Sequence, residues 1–407
     1  MNKPSAALEK KPSALFLAPE APYPAIGGGS LRAASLVEYL ARQYAVHLIL
    51  FREPGAPDPY AAVPPGRVSK VDVVDLPYHS KRAPARVARN LSRLVRGVPP
   101  LSDRFSGFDA RLDGLLAGRR YDVAILDHFW CAPYLDLVRP HSLRIFVDLT
   151  DVDSAWHESV AAQANVFEAA AHRRFAGAAR RLEQRLLPRF DGILVTSPHD
   201  AGLVRPMAPD SEIVVYPNAL PEVLAPPRHE REEIAFSGNL EYAPNIEAVR
   251  FFRQRIWPAL RSRPNLKWRI IGKNPHAIRE LVAGDPRIEI TGFVPDAIQA
   301  LASAQVAVVP VLSGSGTRVK ILEAWAAATP VVSTSVGAEG LIIKNGEDLV
   351  VVDDPREFAA QVSRLLDSPP ERRRLGLAGR RLFELRYTWP AAWKCLATVF
   401  ETTRRGP

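Results

Sequence analysis

A loop rich in glycine and serine, followed by two cations, is the segment of this sequence best suited to hold a phosphate group. Residues 313–320 read Ser-Gly-Ser-Gly-Thr-Arg-Val-Lys and lie between an apolar stretch and a predicted helix. Small residues let backbone N–H groups converge on an anion at a helix N-terminus, where the helix dipole adds to the attraction. A diphosphate site is therefore predicted from the amides of Ser315, Gly316 and Thr317 and the side chains of Arg318 and Lys320. The alternative is a Gly/Ser turn with a solvated arginine and lysine.

A carboxylate on the same predicted helix adds a second recognition element. Glu323 lies just beyond the loop, in a helix expected over residues 317–328. A carboxylate at this position suits two adjacent hydroxyl groups, such as the diol of a ribose. The Gly-Lys-Ser/Thr order of P-loop enzymes is absent, so the loop does not indicate that class of nucleotide-binding protein.

The first part of the chain contains a second glycine-rich loop. Gly27–Ser30 follows the first predicted strand and is followed in turn by Arg32, an arrangement that suits an anion. Ser30 is expected to cap a helix that runs to about Gln43. The loop lacks the Gly-x-Gly-x-x-Gly spacing of dinucleotide-binding proteins. One such loop in each half of the chain predicts a ligand held between two domains.

Alternating strands and helices are predicted to position these loops, and the pattern indicates two doubly wound parallel sheets. Strands are expected in the first half at 13–18, 46–51, 71–76, 123–126, 143–149 and 192–196. Strands are expected in the second half at 234–237, 268–271, 288–290, 306–309 and 331–333. Helices are expected near 245–262, 276–283, 317–328 and 356–366, with a helical tail over 371–404 that breaks at Trp389-Pro390.

Chain length and a proline-rich stretch near the middle of the sequence indicate two domains. A chain of 407 residues is too long for one ordinary domain and suits two. A proline-rich, charged stretch over residues 214–232 is predicted to be the linker. The expected organisation is a loosely held N-terminus over 1–12, a first domain over 13–213, a second domain over 233–385 and a C-terminal segment over 386–407.

Composition excludes several classes of protein. The two cysteines, Cys131 and Cys395, rule out a disulfide framework and a cysteine-built zinc site. No stretch reaches the roughly 18 apolar residues of a membrane span. The apolar run at 14–18 is too short for a secretion signal, so a cytoplasmic protein is expected. Nucleic-acid binding is not indicated, since the basic segments carry no recognition motif.

Several motifs resemble the retaining group 1 glycosyltransferases (family four), which have the GT-B fold. They are Phe236-Ser-Gly-Asn-Leu240, Ile270-Ile-Gly-Lys-Asn-Pro275, Thr291-Gly-Phe-Val-Pro-Asp296 and the stretch from Val306 to Gly340. The resemblance implies two Rossmann-like domains that face each other across a cleft. It also implies that the C-terminal helix crosses back to pack on the first domain, which would be the acceptor side.

The resemblance assigns donor-binding roles to named residues. Glu323 would hold the donor ribose, Gly28 and Gly29 would lie near the diphosphate, and Val294 would lie near the base. The remaining donor-site residues in the matching stretches are Gly238, Asn239 and Lys273. Ser30 and Arg32 would belong to the acceptor side. The co-substrate would be a nucleotide sugar of unidentified base, with no resident cofactor.

The sequence departs from the family pattern in two places. Ser315 stands where the family has the first glutamate of its Glu-x7-Glu motif, a residue that touches the donor sugar. Asn239 and Pro244 occupy the positions of an arginine and a lysine that bind the diphosphate. We hypothesise that Arg318 and Lys320 replace the lost positive charge.

The catalytic assignment follows from the chemistry that the resemblance implies. A retaining transfer of this type needs no protein nucleophile, so the enzyme positions the substrates and stabilises the leaving phosphate. Arg318 and Lys320 are predicted to supply that stabilisation. His128 and its neighbour Asp127 are rival candidates to contact the sugar or the acceptor, and a structural histidine is the alternative.

Two further features have competing interpretations. Asp151-Val-Asp153, with Asp148, has the spacing of a Mg²⁺ or Mn²⁺ site, but a loop or helix-cap role is favoured and no metal is expected. Residues 82–98 combine apolar positions at helical spacing with five arginines. This pattern suits either contact with an anionic membrane, at its inner face, or a basic helix packed on the first domain.

The sequence therefore predicts a metal-independent, hexosyl-type glycosyltransferase that retains anomeric configuration. The expected partners are a nucleotide-sugar donor and a sugar or lipid-linked acceptor, in cell-surface polysaccharide or glycolipid assembly. One alternative is a catalytically inactive scaffold of the same fold that binds polyanions or membranes. Another is an epimerase or phosphorylase on that fold.

Overall fold

The computed structural model describes residues 11–80, 82–314 and 319–401, and the predicted loose terminus lies almost wholly outside them. The described residues fall into two compact units. The N-terminal unit comprises residues up to Val195, Ala201–Val214 and the chain from Val399. The C-terminal unit comprises Thr196–Asp200 and Val215–Thr398.

The N-terminal unit is built on a seven-stranded sheet of order β3-β2-β1-β4-β5-β6-β7. Its strands are β1 Ser13–Ala18, β2 Ala45–Arg52, β3 Lys70–Asp75, β4 Tyr121–Asp127, β5 Ser142–Leu149, β6 Gly192–Val195 and β7 Ile213–Val215. Strands β1 to β6 pair in parallel with their neighbours. The order reverses beside β1, whose neighbours are β2 and β4. In doubly wound sheets such a switch point opens a crevice at the carboxyl ends of the strands.

The C-terminal unit repeats this design with six strands in the order β10-β9-β8-β11-β12-β13. They are β8 Arg231–Ser237, β9 Lys267–Ile271, β10 Ile288–Gly292, β11 Ala304–Val309, β12 Val331–Ser333 and β13 Val350–Val351. All five pairs are parallel. Strand β8 lies between β9 and β11, so the switch point of this unit is beside β8.

Helices surround both sheets. The helices before β8 are α1 Gly28–Gln43, α2 Pro59–Ala62, α3 Ala83–Arg96, α4 Pro100–Arg104, α5 Asp109–Leu116, α6 Leu135–Val138, α7 Asp153–Gln163, α8 Val166–Leu186 and α9 Pro198–Val204. The later helices are α10 Ala243–Phe251, α11 Arg279–Val282, α12 Ala297–Leu301, α13 Val319–Ala326, α14 Pro355–Asp367, α15 Pro369–Leu382, α16 Trp389–Ala392 and α17 Lys394–Glu401. In the described part of the chain, no helix is both long and apolar enough to cross a membrane.

The strands are apolar because helices cover both faces of a parallel sheet. Residues Ala14–Ala18 of β1 are at most 1% exposed, as are Leu48 and Ile125, the partners of Phe16 on the two neighbouring strands. Such continuous apolar runs predicted the strands, and the two-sheet α/β architecture is confirmed. The sequence reasoning missed β13, which has only two residues, and β7 and β8 take in both ends of the predicted linker 214–232.

The long helix expected near 245–262 is three pieces. Helix α10 ends at Phe251, a π-helical turn covers Phe252–Ile256, and a 3₁₀ turn covers Trp257–Leu260. Pro258 lies in that last turn and lacks the N–H that an α-helix would require there. The helix expected near 276–283 is likewise a 3₁₀ turn followed by the four-residue α11.

The end of α17 belongs to the N-terminal unit. The ring of Phe400 lies 4.8 Å from that of Phe146 in β5 and 5.8 Å from that of Tyr39 in α1. Arg144 donates a hydrogen bond to the Val399 carbonyl at 2.8 Å. The preceding part of the predicted C-terminal segment, up to Thr398, belongs to the C-terminal unit.

Two glycines let the turns after β8 and β9 touch. A Cβ atom built on Gly272 would lie 1.7 Å from the carbonyl oxygen of Gly238, which no side chain can tolerate. We predict that Gly272→Ala destabilises the protein by about 1–3 kcal/mol, because the backbone must shift. Urea unfolding measures this effect.

Gly202→Ala is the matched control, since a Cβ there meets no atom within 4 Å. That position is helical, so alanine should be neutral or stabilise by up to about 1 kcal/mol. Equal unfolding midpoints for the two variants would contradict the assigned close contact.

Candidate functional site

The carboxyl end of β8 and the first turns of α13 bring several predicted donor-site residues together. Ser237 is the last residue of β8, and its Oγ donates a hydrogen bond to Oε2 of Glu323 at 3.1 Å. Gly238 and Asn239 follow in the turn after the strand. Residues predicted separately, at 238–239 and 320–323, thus lie at one edge of one sheet.

Lys320 is held directly over this turn. Its Nζ donates a hydrogen bond to Oδ1 of Asn245 at 2.6 Å and lies 4.2 Å from the centroid of the Phe236 ring. A Cβ atom on Gly238 would come within 3.3 Å of the same Nζ. The positive charge is therefore fixed beside the β8 turn by a hydrogen bond and a cation–π contact.

Asn245 connects the lysine to the turn, and sequence reasoning missed it. Its Nδ2 donates to the Asn239 carbonyl at 2.7 Å while its Oδ1 accepts from Lys320. The side chain of Asn239 in turn accepts a hydrogen bond from Asn274 at 3.0 Å. Its position directly after Pro244, near a predicted helix start, was the only available signal.

The environment of Glu323 favours its protonated form. Burial raises the pKa of this carboxyl group above its usual range, and the hydrogen bond from Ser237 and the charge of Lys320 act in the opposite direction. As the pH falls, a carboxyl group with a raised pKa loses its charge earlier than an ordinary glutamate does. Any ligand that needs the carboxylate is then bound less well as the pH falls.

The other predicted donor residues lie at neighbouring strand ends. Lys273 follows β9, has an exposed side chain, and its carbonyl accepts a hydrogen bond from Leu240 N at 3.0 Å. Val294 follows β10 and is half-buried. Ser315, Gly316, Thr317 and Arg318 lie outside the described residues, so their predicted roles remain predictions.

A second cluster lies at the carboxyl ends of β4 and β5 in the N-terminal unit. Asp127 ends β4 and is the direct cross-strand partner of Asp148 in β5, and both carboxylates are fully buried. His128 follows with a φ of 59°, an uncommon conformation for a residue other than glycine. Its Nδ1 lies 3.1 Å from Oδ1 of Asp127, an ion-pair contact without hydrogen-bond geometry.

The charge of His128 is set by its acidic neighbours. Burial by itself lowers the pKa of the imidazole, but Asp127, followed by Glu20 and Asp148, raises it to about 9. The ring also lies 4.6 Å from that of Trp130. His128 is therefore an imidazolium at neutral pH, able to donate hydrogen bonds but not to act as a base.

The glycine loop lies against this histidine. A Cβ atom on Gly29 would lie 3.0 Å from Oε1 of Glu20 and 3.6 Å from Nε2 of His128. Helix α1 begins at Gly28, with Gly27 as its N-cap. The prediction that Ser30 caps the helix is wrong, because its Oγ donates to the Gly27 carbonyl at 3.3 Å instead.

Arg32 is buried rather than open to an acceptor. Its guanidinium donates hydrogen bonds to the Asp148 carboxylate, at 2.8 Å from Nε and at 2.5 Å from an Nη. The two side chains are 1% and 0% exposed. The spacing of Arg32 behind the glycine loop correctly placed it on α1 but did not reveal this partner. Because Arg32 is 1% exposed, it offers no accessible group for an acceptor in this structure.

The candidate metal pair, Asp151 and Asp153, is half-buried and lies near the buried carboxylate of Glu183. Burial, followed by the charges of Glu183 and Asp151, raises the pKa of Asp153 to about 7. Glu183 accepts hydrogen bonds from the Ser154 backbone and hydroxyl, and Asp148 is paired with Arg32. Within residues 11–80, 82–314 and 319–401, no three histidine, cysteine or acidic side chains are grouped as metal ligands.

Comparison with known families decides the class. Residues 231–368 match the family described as glycosyl transferases group 1, and residues 27–219 match the glycosyl transferase 4-like domain. The chain belongs to the group 1 glycosyltransferases. The two matched ranges take in the whole C-terminal sheet and every strand of the N-terminal sheet except β1, which confirms the resemblance drawn from the motifs.

Curated relatives of this glycosyltransferase include sugar transferases. A D-inositol 3-phosphate glycosyltransferase of Corynebacterium diphtheriae is 27% identical over 69% of this chain and 70% of its own length. An MMP alpha-(1->4)-mannosyltransferase of Mycolicibacterium hassiacum is 36% identical over 32% of each chain. An uncharacterized protein in the cps region of Klebsiella pneumoniae is 28% identical, and the match covers 36% of its length.

Solved structures support the GT-B fold of this glycosyltransferase. Sucrose-phosphate synthase from Thermosynechococcus elongatus superposes with a TM-score of 0.70 at 17% identity, over 96% of this chain and 98% of the other. Anabaena HepE in complex with UDP and glucose gives 0.63 at 12% identity, over 96% and 100%. At these identities the likeness establishes the fold alone.

The raised pKa of His128 makes stability depend on pH. Because the folded-state pKa of about 9 exceeds the unfolded value near 6.5, the pair stabilises the fold fully below about pH 6.5. This stabilisation, on the order of 3 kcal/mol, is lost as the pH rises through about 9. We predict that NMR titration of His128 shows a midpoint near pH 9 in the wild type.

Asp127→Asn should lower that midpoint by more than Glu20→Gln does, since Asp127 is the larger of the two contributions. A midpoint that Asp127→Asn leaves unchanged would contradict the assigned ion pair.

Proposed function

We propose that this glycosyltransferase moves a hexosyl group from a nucleotide-diphosphate sugar to a hydroxyl acceptor, with retention and without a metal ion. The observation that carries the proposal is the fixed ammonium of Lys320 beside the Gly238 turn, next to Glu323. A diphosphate needs positive charge at a strand end, and a ribose needs a hydrogen-bond acceptor nearby. Both groups lie at the switch point of the C-terminal sheet, where open α/β sheets bind ligands.

Lys320 is proposed to bind the donor diphosphate. The position of its Nζ over the turn supports the hypothesis that it replaces the cations lost at Asn239 and Pro244. Asn245 and the Phe236 ring hold the ammonium in place, so little side-chain freedom is lost when the anion binds. The amides of residues 315–317 and the Arg318 side chain are proposed to complete this site.

Glu323 is proposed to accept hydrogen bonds from the ribose. Its Oε2 already accepts one from Ser237, which orients the carboxylate in α13. In a buried, low-dielectric environment such a hydrogen bond is electrostatically stronger than in water. Lys273 and Val294, at the ends of β9 and β10, are proposed to lie nearer the base.

The proposed chemistry is a transfer in which the acceptor hydroxyl oxygen bonds to the anomeric carbon on the face from which the diphosphate leaves. The hydroxyl proton passes to the departing phosphate oxygen. No protein side chain forms a covalent bond in this mechanism. The developing charge on the leaving phosphate is stabilised by Lys320 and Arg318, a role that a metal ion fills in other enzymes. His128, as an imidazolium, is proposed to donate a hydrogen bond to a sugar or acceptor oxygen.

The acceptor is proposed to be a sugar or a lipid-linked sugar of a cell-surface polysaccharide or glycolipid. One relative, a D-inositol 3-phosphate glycosyltransferase, and another, from a cps region, support an acceptor of this general kind. A UDP complex of a structural neighbour is consistent with a nucleotide-diphosphate donor. Contact of residues 82–98 with an anionic membrane would bring such an acceptor within reach.

The donor proposal is tested by thermal shift with UDP, GDP, ADP, TDP and CMP. We predict that one nucleoside diphosphate stabilises the wild type, since a ligand at 100 times its Kd adds about 2.7 kcal/mol. Lys320→Ala should lose most of the shift. Lys344→Ala is the control, because that lysine is exposed and pairs only weakly with Glu347 at 3.4 Å.

In turnover assays, Lys320→Ala should lower kcat about 10²- to 10³-fold, the usual effect of removing one preorganised hydrogen-bond donor that stabilises developing negative charge. A lowered affinity with unchanged kcat would contradict a role in stabilising the leaving group. Nucleotide release that does not depend on an added acceptor would favour an epimerase. No shift with any nucleotide would favour the inactive scaffold.

A further inference from the structure

A cavity of about 490 Å³ opens in the C-terminal unit. Its walls are mostly apolar and come from four parts of the chain, at 196–198, 215–217, 340–342 and 385–395. Small-molecule sites are usually cavities of about 300–1,000 Å³ with mostly apolar walls and a few polar groups. The cavity therefore has the size and the lining of a ligand site. Among the residues that the structure describes, its lining includes none of those assigned to the donor.

One wall of the cavity is formed by a π-helical turn. Leu385, Arg386 and Tyr387 belong to the turn Phe383–Tyr387, which follows α15. Single turns of π-helix are rare and occur frequently at functional sites. Leu385 is 65% exposed, and Ile342 on another wall is 49% exposed. A ligand that covered these two apolar side chains would be stabilised by the burial of apolar surface.

Hydrogen bonds hold this wall in place. The side chain of Tyr387 is buried, and its hydroxyl accepts a hydrogen bond from the backbone nitrogen of Ile342 at 2.9 Å. The Tyr387 carbonyl accepts another from the backbone nitrogen of Leu220, also at 2.9 Å. The π-helical turn is thereby tied to the wall at 340–342. A ligand that binds to preorganised walls causes little further loss of conformational entropy in the protein.

Two cations lie at the same cavity. Arg386 and Lys394 both line it, and both are exposed. Throughout the described part of the chain, no carboxylate lies within ion-pair distance of either side chain. Asp200, close in sequence to the wall at 196–198, is buried and accepts hydrogen bonds from the hydroxyls of Thr196 and Ser197. The cavity therefore combines apolar walls with two cations that no carboxylate neutralises.

We propose that this cavity binds a small organic anion with an apolar body, such as an alkyl phosphate. Its charged group would lie beside Arg386 and Lys394, and its apolar body would cover Leu385 and Ile342. The two cations favour an anion over a neutral apolar molecule. The apolar walls favour an anion with an apolar body over inorganic phosphate. This site goes beyond the sugar transfer, since it shares no described residue with the proposed donor site.

The test is isothermal titration calorimetry of the full chain with octyl phosphate, below the concentration at which micelles form. Inorganic phosphate and octanol are the matched probes, because each contains one half of octyl phosphate. Octyl phosphate should bind at one site, more weakly in high salt, and each matched probe should bind about tenfold more weakly or worse. No nucleotide or acceptor is added, so failure here and failure of the proposed transfer are distinguishable.

A pair of charge reversals tests the cations. Arg386→Glu/Lys394→Glu should weaken the binding of octyl phosphate about tenfold or more, because attraction becomes repulsion. The control is Arg356→Glu/Arg373→Glu, which changes the net charge equally at exposed arginines of α14 and α15 outside the cavity lining. It should bind octyl phosphate as the wild type does. Circular dichroism verifies that each variant is folded.

Two further variants locate the bound probe. Ala391 lines the cavity, so Ala391→Phe should fill part of it and abolish most of the binding while both cations remain. Lys320→Ala should bind octyl phosphate as the wild type does, because Lys320 belongs to the proposed donor site.

Four results would overturn the proposal. The first is no binding of octyl phosphate by the wild type. The second is binding of octanol or inorganic phosphate as tight as that of octyl phosphate. The third is wild-type affinity in Arg386→Glu/Lys394→Glu or in Ala391→Phe. The fourth is loss of binding in Lys320→Ala, since the probe would then occupy the donor site.

Discussion

The contact between the turns that follow β8 and β9 is the constraint on which the C-terminal site depends. Only glycine at 272 allows its backbone to reach the carbonyl of Gly238. This contact sets the path of Asn239, whose carbonyl and side chain then bond Asn245 and Asn274. Asn245 in turn holds Lys320. The close backbone contact between Gly272 and Gly238 therefore determines where the Lys320 ammonium lies.

In the N-terminal unit, the main constraint is the burial of two carboxylates side by side. Two buried carboxylates, Asp127 and Asp148, are neighbours on adjacent parallel strands and repel each other. Arg32 forms a bidentate ion pair with Asp148. His128 lies beside Asp127, and the negative charge of Asp127 keeps the imidazole protonated. Removal of Arg32 would leave a buried charge without its main partner, which is far more costly than loss of an exposed ion pair.

The fold could be predicted because its signals are local. Continuous apolar runs bounded by glycine and proline placed the strands. Gly28, Gly29, Lys320 and Glu323 lie at the carboxyl ends of strands, where parallel sheets bind ligands. Asn245 and Asp148 could not be assigned, because their roles depend on partners far away in sequence. Arg32 and Asp148, for example, are 116 residues apart.

Helix α3 shows a related limit of sequence patterns. Periodicity identified the apolar positions of residues 82–98, but it does not say which of them turn inward: Val87, Leu91 and Val95 are exposed, whereas Leu94 and Val98 are half-buried. That choice was made by Asp103 and the Ser80 carbonyl, which bind arginines of the opposite face. The π-helical turn at Phe252–Ile256 was equally invisible, because its residues continue the apolar spacing of α10.

The proposed function requires that the C-terminal unit hold the donor by its diphosphate and its ribose. The most direct measurement is a crystal structure of the protein with the nucleoside diphosphate that stabilises it. We expect Lys320 Nζ within about 3 Å of a phosphate oxygen and the Glu323 carboxylate at hydrogen-bond distance from the ribose hydroxyls. A diphosphate bound away from Lys320, with Glu323 still bonded only to Ser237, would contradict it.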